Sequence, residues 1–277
     1  LERATPIEVS WPHSPGDVVV LPEGDRAYVA RRFGQEVDVI DLDPESPTHL
    51  GVLEVIDAGV RPWKLSLTPD GSRVYVSNLV APGAIAVIET DSDTATTTFA
   101  GVGIPGAVAF TPGGEQAYFT DYEGRIVILD TDPLSASYHG VIDRAFVHES
   151  LLSGVIAVSP DRSRVVLNWS GSGVHGCELI GADPADGSLT GVIASPIKDI
   201  SGGAGDVVLA SDGEHGYVSS ADSDRALFCL DLVTGEVVFA LTLDEITGER
   251  NDTIEVILGG QRIADLQAGL ALSADDL

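Results

Sequence analysis

Four Asp-x-Asp pairs, Asp41/Asp43, Asp91/Asp93, Asp130/Asp132 and Asp222/Asp224, offer the most obvious chemistry, because two carboxylates on one turn can hold a divalent cation. None runs on into an EF-hand loop, with its central glycine and closing glutamate, so the pairs read as turn formers. The histidines at 13, 49, 139, 148, 175 and 215 form no i, i+4 pair and no HExxH, and predict no zinc site. Ser170-Gly171-Ser172-Gly173 lacks the strand-to-helix turn of a serine nucleophile. Gly101 to Gly106 matches GxGxxG by letters, but a strand pattern follows it where a dinucleotide site needs a helix. Cys177 and Cys229 match no metal or haem spacing and fall within apolar runs, which predicts buried thiols.

The elements that would position any site are legible as a repeat. Pro62 to Asn78 reads as an alternating strand, a Pro69-Asp70-Gly71 turn and a second strand carrying Tyr75. The same pattern runs from Pro15 through Pro22 to Tyr28-Val29, and from Pro105 through Pro112 to Tyr118-Phe119. Looser copies centre on Pro160-Asp161 and on Ser211-Asp212-Gly213, and another copy begins at Gly269. Corresponding turns lie 43 to 51 residues apart. A third apolar strand follows in each copy, usually ending in an acid (Asp41, Glu89, Asp130, Asp231), with Gly181 in that place in the fourth. Turn residues and a fourth strand complete each copy, over His49 to Ile56, Ala95 to Ala100, Leu189 to Ile193 and Val237 to Leu243. Four antiparallel strands per repeat with no helical periodicity predict an all-β fold, a β-propeller of four-stranded blades. The blades cover about 15–61, 62–104, 105–152, 153–203 and 204–264, and a further repeat starts at 265–277. The stretch 244–265 is the longest departure from the period, and within it Ile254 to Leu258 is compatible with a hairpin.

The run Pro69-Asp70-Gly71-Ser72-Arg73-Val74-Tyr75-Val76-Ser77-Asn78, followed by Ile85-Ala86-Val87-Ile88-Glu89-Thr90, resembles the YVTN repeat of bacterial and archaeal β-propellers. The likeness extends over nearly the whole chain and is weakest in the fourth copy, where Val165-Val166-Leu167-Asn168 replaces the aromatic form. WD-repeat signatures are absent. The resemblance implies a seven-bladed ring, of which about five blades and two partial ones are expected here, so that the chain would be part of a longer protein. It also implies company with surface-layer components and lactonase-like propellers.

Antiparallel alternation puts the stereotyped Pro-Asp-Gly turns on one face of each blade and the variable connections on the other, which is where function is expected. Candidate ligand-binding residues between second and third strands are Arg31 (in Arg31-Arg32-Phe33), Asn78, Asp121, Tyr122, Asn168, Trp169, His175, Asp222 and Arg225. The links between blades add Arg61, Trp63, Arg144 and His148. Lys64 and Asp206, like Asp17, stand near the start of first strands, where they would line a central channel. Arg and Lys suit anionic groups, Trp suits stacking, and carboxylates with Asn suit a divalent cation. The expected function is a non-catalytic binding scaffold with a protein or small-molecule ligand at the variable face and no cofactor. The alternative implied by the resemblance is a lactonase-like hydrolase, for which Asn78, Asp121, Asn168 and Asp206 would have to converge on one divalent cation. A third reading makes the propeller a module of a larger redox protein.

Composition narrows the partners. The 277 residues carry 43 acids against 15 Lys and Arg, a formal net charge of −28 that repels phosphate backbones and anionic lipid alike and argues against nucleic acid. No apolar run approaches the ~20 residues of a membrane helix. Only two lysines, Lys64 and Lys198, and a strongly acidic composition suit a salty extracellular, cell-surface or periplasmic setting.

Overall fold

Every regular element that the computed structural model describes is a strand, over residues 15–80, 83–100, 103–147, 153–171, 175–195, 197, 200, 204–220, 227–241, 254–258, 261–266 and 270–271. The chain divides into two compact units, Leu1–Gly106 and Ala107–Leu277. The first unit holds two four-stranded meanders: β1–β4 (Pro15–Val20, Arg26–Arg31, Glu36–Asp41, Val52–Asp57) and β5–β8 (Pro62–Leu67, Arg73–Asn78, Ala84–Glu89, Thr94–Ala100). The second holds three, with β9 beginning at the boundary: β9–β12 (Pro105–Phe110, Gln116–Asp121, Arg125–Asp130, Val141–Phe146), β13–β16 (Ser153–Val158, Arg164–Ser170, His175–Ala182, Leu189–Ala194) and β17–β20 (Ala204–Leu209, His215–Ser220, Leu227–Asp231, Val237–Leu241). A three-stranded sheet, β21–β23 (Ile254–Leu258, Gln261–Leu266, Leu270–Ala271), follows, so Ile254 to Leu258 does form a hairpin. Residues 244–253, the rest of that long connection's start, lie outside the described residues.

Strand side chains alternate between sheet faces, and third strands such as Ile85-Ala86-Val87-Ile88 are apolar at every position because both faces are covered. In the first unit Tyr28, Val37 and Val39 of one blade pack on Leu65, Val74, Val76 and Ile88 of the next. In the second unit Tyr118, Ile126 and Ile128 meet Val165, Leu167 and Ile180, while Val166, Cys177 and Leu179 meet Val218, Phe228 and Leu230. Both cysteines are free and buried, as the apolar runs around them predicted. Each such side chain contributes roughly 1.5–3 kcal/mol by leaving water, which makes this stacking the main source of cohesion within each unit.

The repeated turn has a backbone cause. Gly24, Gly71, Gly114 and Gly213 take φ of +73°, +73°, +77° and +70° and close their turns by donating N–H to the carbonyl three residues back, a conformation that costs glycine nothing. The fourth copy places Arg162 there at +63°. The repeated tyrosine also has a cause. Tyr28 donates its hydroxyl to Asp93 of the next blade, and Tyr118 donates to the Gly187 carbonyl at 2.8 Å. Burial raises both phenols, Tyr118 to about 12, so they remain donors. The fourth blade has Val166 in that position and uses Arg164 Nε to the Leu232 carbonyl (2.9 Å), much as Arg26 reaches the Thr90 carbonyl (2.9 Å).

The first blade's fourth strand starts at Val52 rather than His49. The cause is a bracket around Asp41, which accepts the Asp43 N–H (3.0 Å) on one oxygen and the hydroxyls of Ser46 (2.5 Å) and Thr48 (2.6 Å) on the other. The third blade repeats it around Asp130, with the Asp132 N–H and the hydroxyls of Ser135 and Ser137. These two Asp-x-Asp pairs are turn formers, as their sequence context predicts.

Candidate functional site

The variable edge of the first unit is built where β2 turns into β3 and where Ala58 to Pro62 leads into β5. Arg31, the last residue of β2, points inward and holds the fully buried Asp38 of β3 through two bonds of 2.6 and 2.9 Å. This charged pair raises the Arg31 guanidinium further, chiefly through those hydrogen bonds. Arg32, one residue on, is exposed. Its guanidinium carbon lies 4.0 Å over the Trp63 ring and 5.3 Å from the Phe33 ring. Arg61 is exposed beside this cluster at φ +60°, donating its N–H to Gly34 of the β2–β3 turn and accepting from Leu79 N–H at 2.9 Å each. Lys64 Nζ faces Asp17 at 3.6 Å, and Asp17 also accepts the Leu65 N–H at 3.1 Å, tying the first strands of the two blades together. Asn78 ends β6 and is 1% exposed. Its Nδ2 donates to the Ala58 carbonyl at 2.9 Å, and Gly59, at φ +94°, passes too close for any larger residue.

In the second unit Asp121 ends β10, buried, with one oxygen accepting the N–H groups of Glu123 (3.0 Å) and Arg125 (2.8 Å) and the other 3.6 Å from the Arg125 guanidinium. Burial pushes its carboxyl above the usual range, against those donors. Tyr122 follows it, half-buried. Asn168 donates to the carbonyls of Gly205 (3.2 Å) and Ser219 (3.3 Å), bracing two blades. Trp169 is buried against Gly176. His175 opens β15, exposed, and pairs across the strand with Ser170. Asp206 is half-buried in β17, its N–H donating to Ser219 Oγ at 2.8 Å.

Several of these residues differ in setting from the sequence expectation. Arg31, Asn78, Asp121, Asn168, Trp169 and Trp63 lie on strands rather than in connections, because cross-strand pairing runs to the ends of the hairpins. Trp169 seated over Gly176 extends β14 and β15 to 7 and 8 residues. Arg144 lies on the outer strand β12, opposite Val127, and not in an inter-blade link. His148, Asp222 and Arg225 lie outside the described residues. No three acidic, His or Cys side chains gather into a metal-holding group among the described residues. The structure brings Trp63 together with Arg32 and Phe33, and ties the Arg61 backbone to Gly34 of the same turn, while Lys64 faces Asp17. Arg32 was the residue to single out from Arg31-Arg32-Phe33, since the strand that places Arg31 on the face of Asp38 ends there and leaves Arg32 in the exposed turn.

No protein-family model matches the chain, and no curated protein matches it. Solved structures do. The chain is similar to Kuenenia stuttgartiensis hydrazine synthase (TM-score 0.65, 18% identity, 92% of this chain and 73% of that one). It is also similar to U3-55K (TM-score 0.62, 15% identity, 84% and 66%) and to the RRP9 WD40 repeats (TM-score 0.62, 16% identity, 84% and 65%). With five four-stranded antiparallel sheets and these neighbours, the chain has a β-propeller fold. No helix long and apolar enough to cross a membrane occurs among the described residues.

Proposed function

We propose that this chain is a non-catalytic interaction scaffold of the YVTN-repeat type, acting in an extracellular, cell-surface or periplasmic setting, with its ligand face at the variable edge of the first unit. The observation that carries this reading is the Arg32 guanidinium, stacked 4.0 Å over Trp63 and flanked by exposed Phe33, with no acidic partner among the described residues. Other arginines hold an acid within the fold: Arg31 holds Asp38, Arg26 holds Asp93, Arg73 holds Glu89 and Arg162 holds Glu115. Of the residues that a hydrolase would use to hold a cation, Asp121 commits one oxygen to backbone N–H groups and Asn78 and Asn168 donate their amide nitrogens to backbone carbonyls, while Asn78 Oδ1 and Asp121 Oδ2 accept no hydrogen bond. A rigid stack of sheets that carries Trp, Phe and Arg at one rim matches the composition of protein recognition surfaces. The small number of lysines and the charge of −28 favour the extracellular or periplasmic setting.

The test is an assay of lactone and ester hydrolysis by the purified chain with calcium, magnesium, manganese or zinc added. The expected rate equals that of buffer with the same ion. Cation-dependent turnover that disappears in Asn168→Ala or Asp121→Ala variants of native thermal stability would overturn the scaffold reading.

A further inference from the structure

Arg32 and Arg61 are the two cations of the first unit's variable edge that carry no acid, whereas Lys64 faces Asp17. Arg32 is held by stacking alone. Its ring contacts hold the guanidinium over Trp63 and leave its N–H donors uncommitted, and those donors form the fork that takes a carboxylate through two parallel bonds. Arg61 keeps a long side chain at φ +60°, a backbone region that favours glycine. Its backbone is nonetheless bonded to the turn that carries Arg32. Phe33, 54% exposed, supplies an apolar surface next to the Arg32 guanidinium, and the residue after it, Gly34, is the one that accepts the Arg61 N–H.

Charge identifies the occupant. On a chain of net charge −28, a basic partner would be attracted over most of the surface and gain no particular address. An acidic segment is repelled almost everywhere and favoured only where positive charge is unmatched, which is how repulsion produces specificity. Resting on the scaffold reading above, we infer that the Arg32–Arg61–Trp63–Phe33 cluster binds a short acidic peptide segment of a partner protein. One carboxylate meets the Arg32 fork, a second charge meets Arg61, and an adjacent apolar side chain covers Phe33.

The test is an array of random acetylated hexapeptides, with acidic polysaccharides spotted beside them, probed with the full chain and with its R32E/R61E, R32K and R144E variants. Both target side chains are exposed and make no hydrogen bond or ion pair, so the variants should melt within a few degrees of the parent. The expected result is a set of retained peptides that pair Asp or Glu with an apolar residue. R32E/R61E should bind them at least about thirtyfold more weakly, as expected for loss of a recognition hot spot. R32K should be intermediate, because lysine keeps the charge and loses the fork, and R144E should match the parent. Peptides that bind the double variant as well as the parent, or polysaccharides retained in their place through the same arginines, would overturn this inference and leave the scaffold reading standing. If no peptide or glycan is retained by any form, the scaffold reading fails together with it.

Discussion

Arg31 and Asp38 provide the sharpest way to separate a structural arginine from a recognition arginine. Asp38 is fully buried, and its two oxygens are met by Arg31 at 2.6 and 2.9 Å, whereas the Arg31 side chain keeps 20% of its surface in solvent. Removing the guanidinium strands a carboxylate in the blade, and removing the carboxylate leaves a cation that can swing to water. Arg31→Met should therefore cost about 3–5 kcal/mol, the usual result of breaking a buried pair on one side. Asp38→Leu should cost less, about 1–2 kcal/mol. The double variant Arg31→Met/Asp38→Leu, with an apolar pair of similar volume, should return to within about 1 kcal/mol of the parent. For a chain of this size the single Arg31 change corresponds to a fall of roughly 6–20 °C in the melting temperature. Unfolding in urea, followed by far-UV circular dichroism, is the suitable assay, since guanidinium salt would screen the charges under test. Arg31→Met within about 1 kcal/mol of the parent, or a double variant as unstable as the single, would refute the buried-pair argument and return Arg31 to the ligand candidates.

Three further outcomes follow from the geometry. A methyl group at Gly176 would lie 2.8 to 3.0 Å from the buried Trp169 ring, so Gly176→Ala should destabilise by about 1–3 kcal/mol and red-shift tryptophan emission; unchanged emission and urea midpoint would contradict that packing. The Ser46 and Thr48 hydroxyls, with the Asp43 N–H, hold the Asp41 carboxyl below its ordinary range. A depressed folded value means stability that is full above the unfolded value of about 4 and is lost as pH falls through the lower folded value. Ser46→Ala/Thr48→Val should therefore flatten the decline in melting temperature below about pH 4, and an identical acid limb would count against the bracket. Burial raises the Cys229 thiol to about 11 and pushes Cys177 beyond ordinary titration, so Ellman's reagent at pH about 8 should find no reactive thiol until denaturant is added.

The blade architecture was readable because its causes are local. A glycine at positive φ, a proline ahead of it and alternation on either side together fix a hairpin, and Asp41 and Asp130 announce their brackets through the Ser and Thr residues spaced behind them. The same locality explains where reading from sequence stopped. Asn78, Asp121 and Trp169 look like rim residues because they are polar or aromatic at a strand end, and only the neighbouring backbone, Ala58 for Asn78 and Gly176 for Trp169, shows that the interior has already engaged them. The tyrosine of the repeat was visible as a pattern, but its purpose was not. A hydroxyl reaching Asp93 or the Gly187 carbonyl is a contact between blades, and hydrophobic periodicity within one blade carries no information about it.

Arg31 and Arg32 show how one strand end divides structure from function. They are adjacent and chemically identical, so composition and motif searches cannot separate them. The end of the strand does: Arg31, two residues beyond Val29, shares the sheet face of Asp38, which pairs with Val29, whereas Arg32 falls in the turn and is exposed. The inward residue finds a carboxylate that sequence alone places in an apolar third strand, where a charge is tolerable only when paired. The outward residue finds aromatic rings, which fix its orientation and leave its charge unneutralised. In a chain with nearly three acids for every base, a guanidinium that is held in place and yet not neutralised is the exception. Such an exception is informative because ample carboxylate was at hand to quench it: with 43 acids in the sequence, an unmatched arginine beside two aromatic rings leaves its complement to be supplied by another molecule.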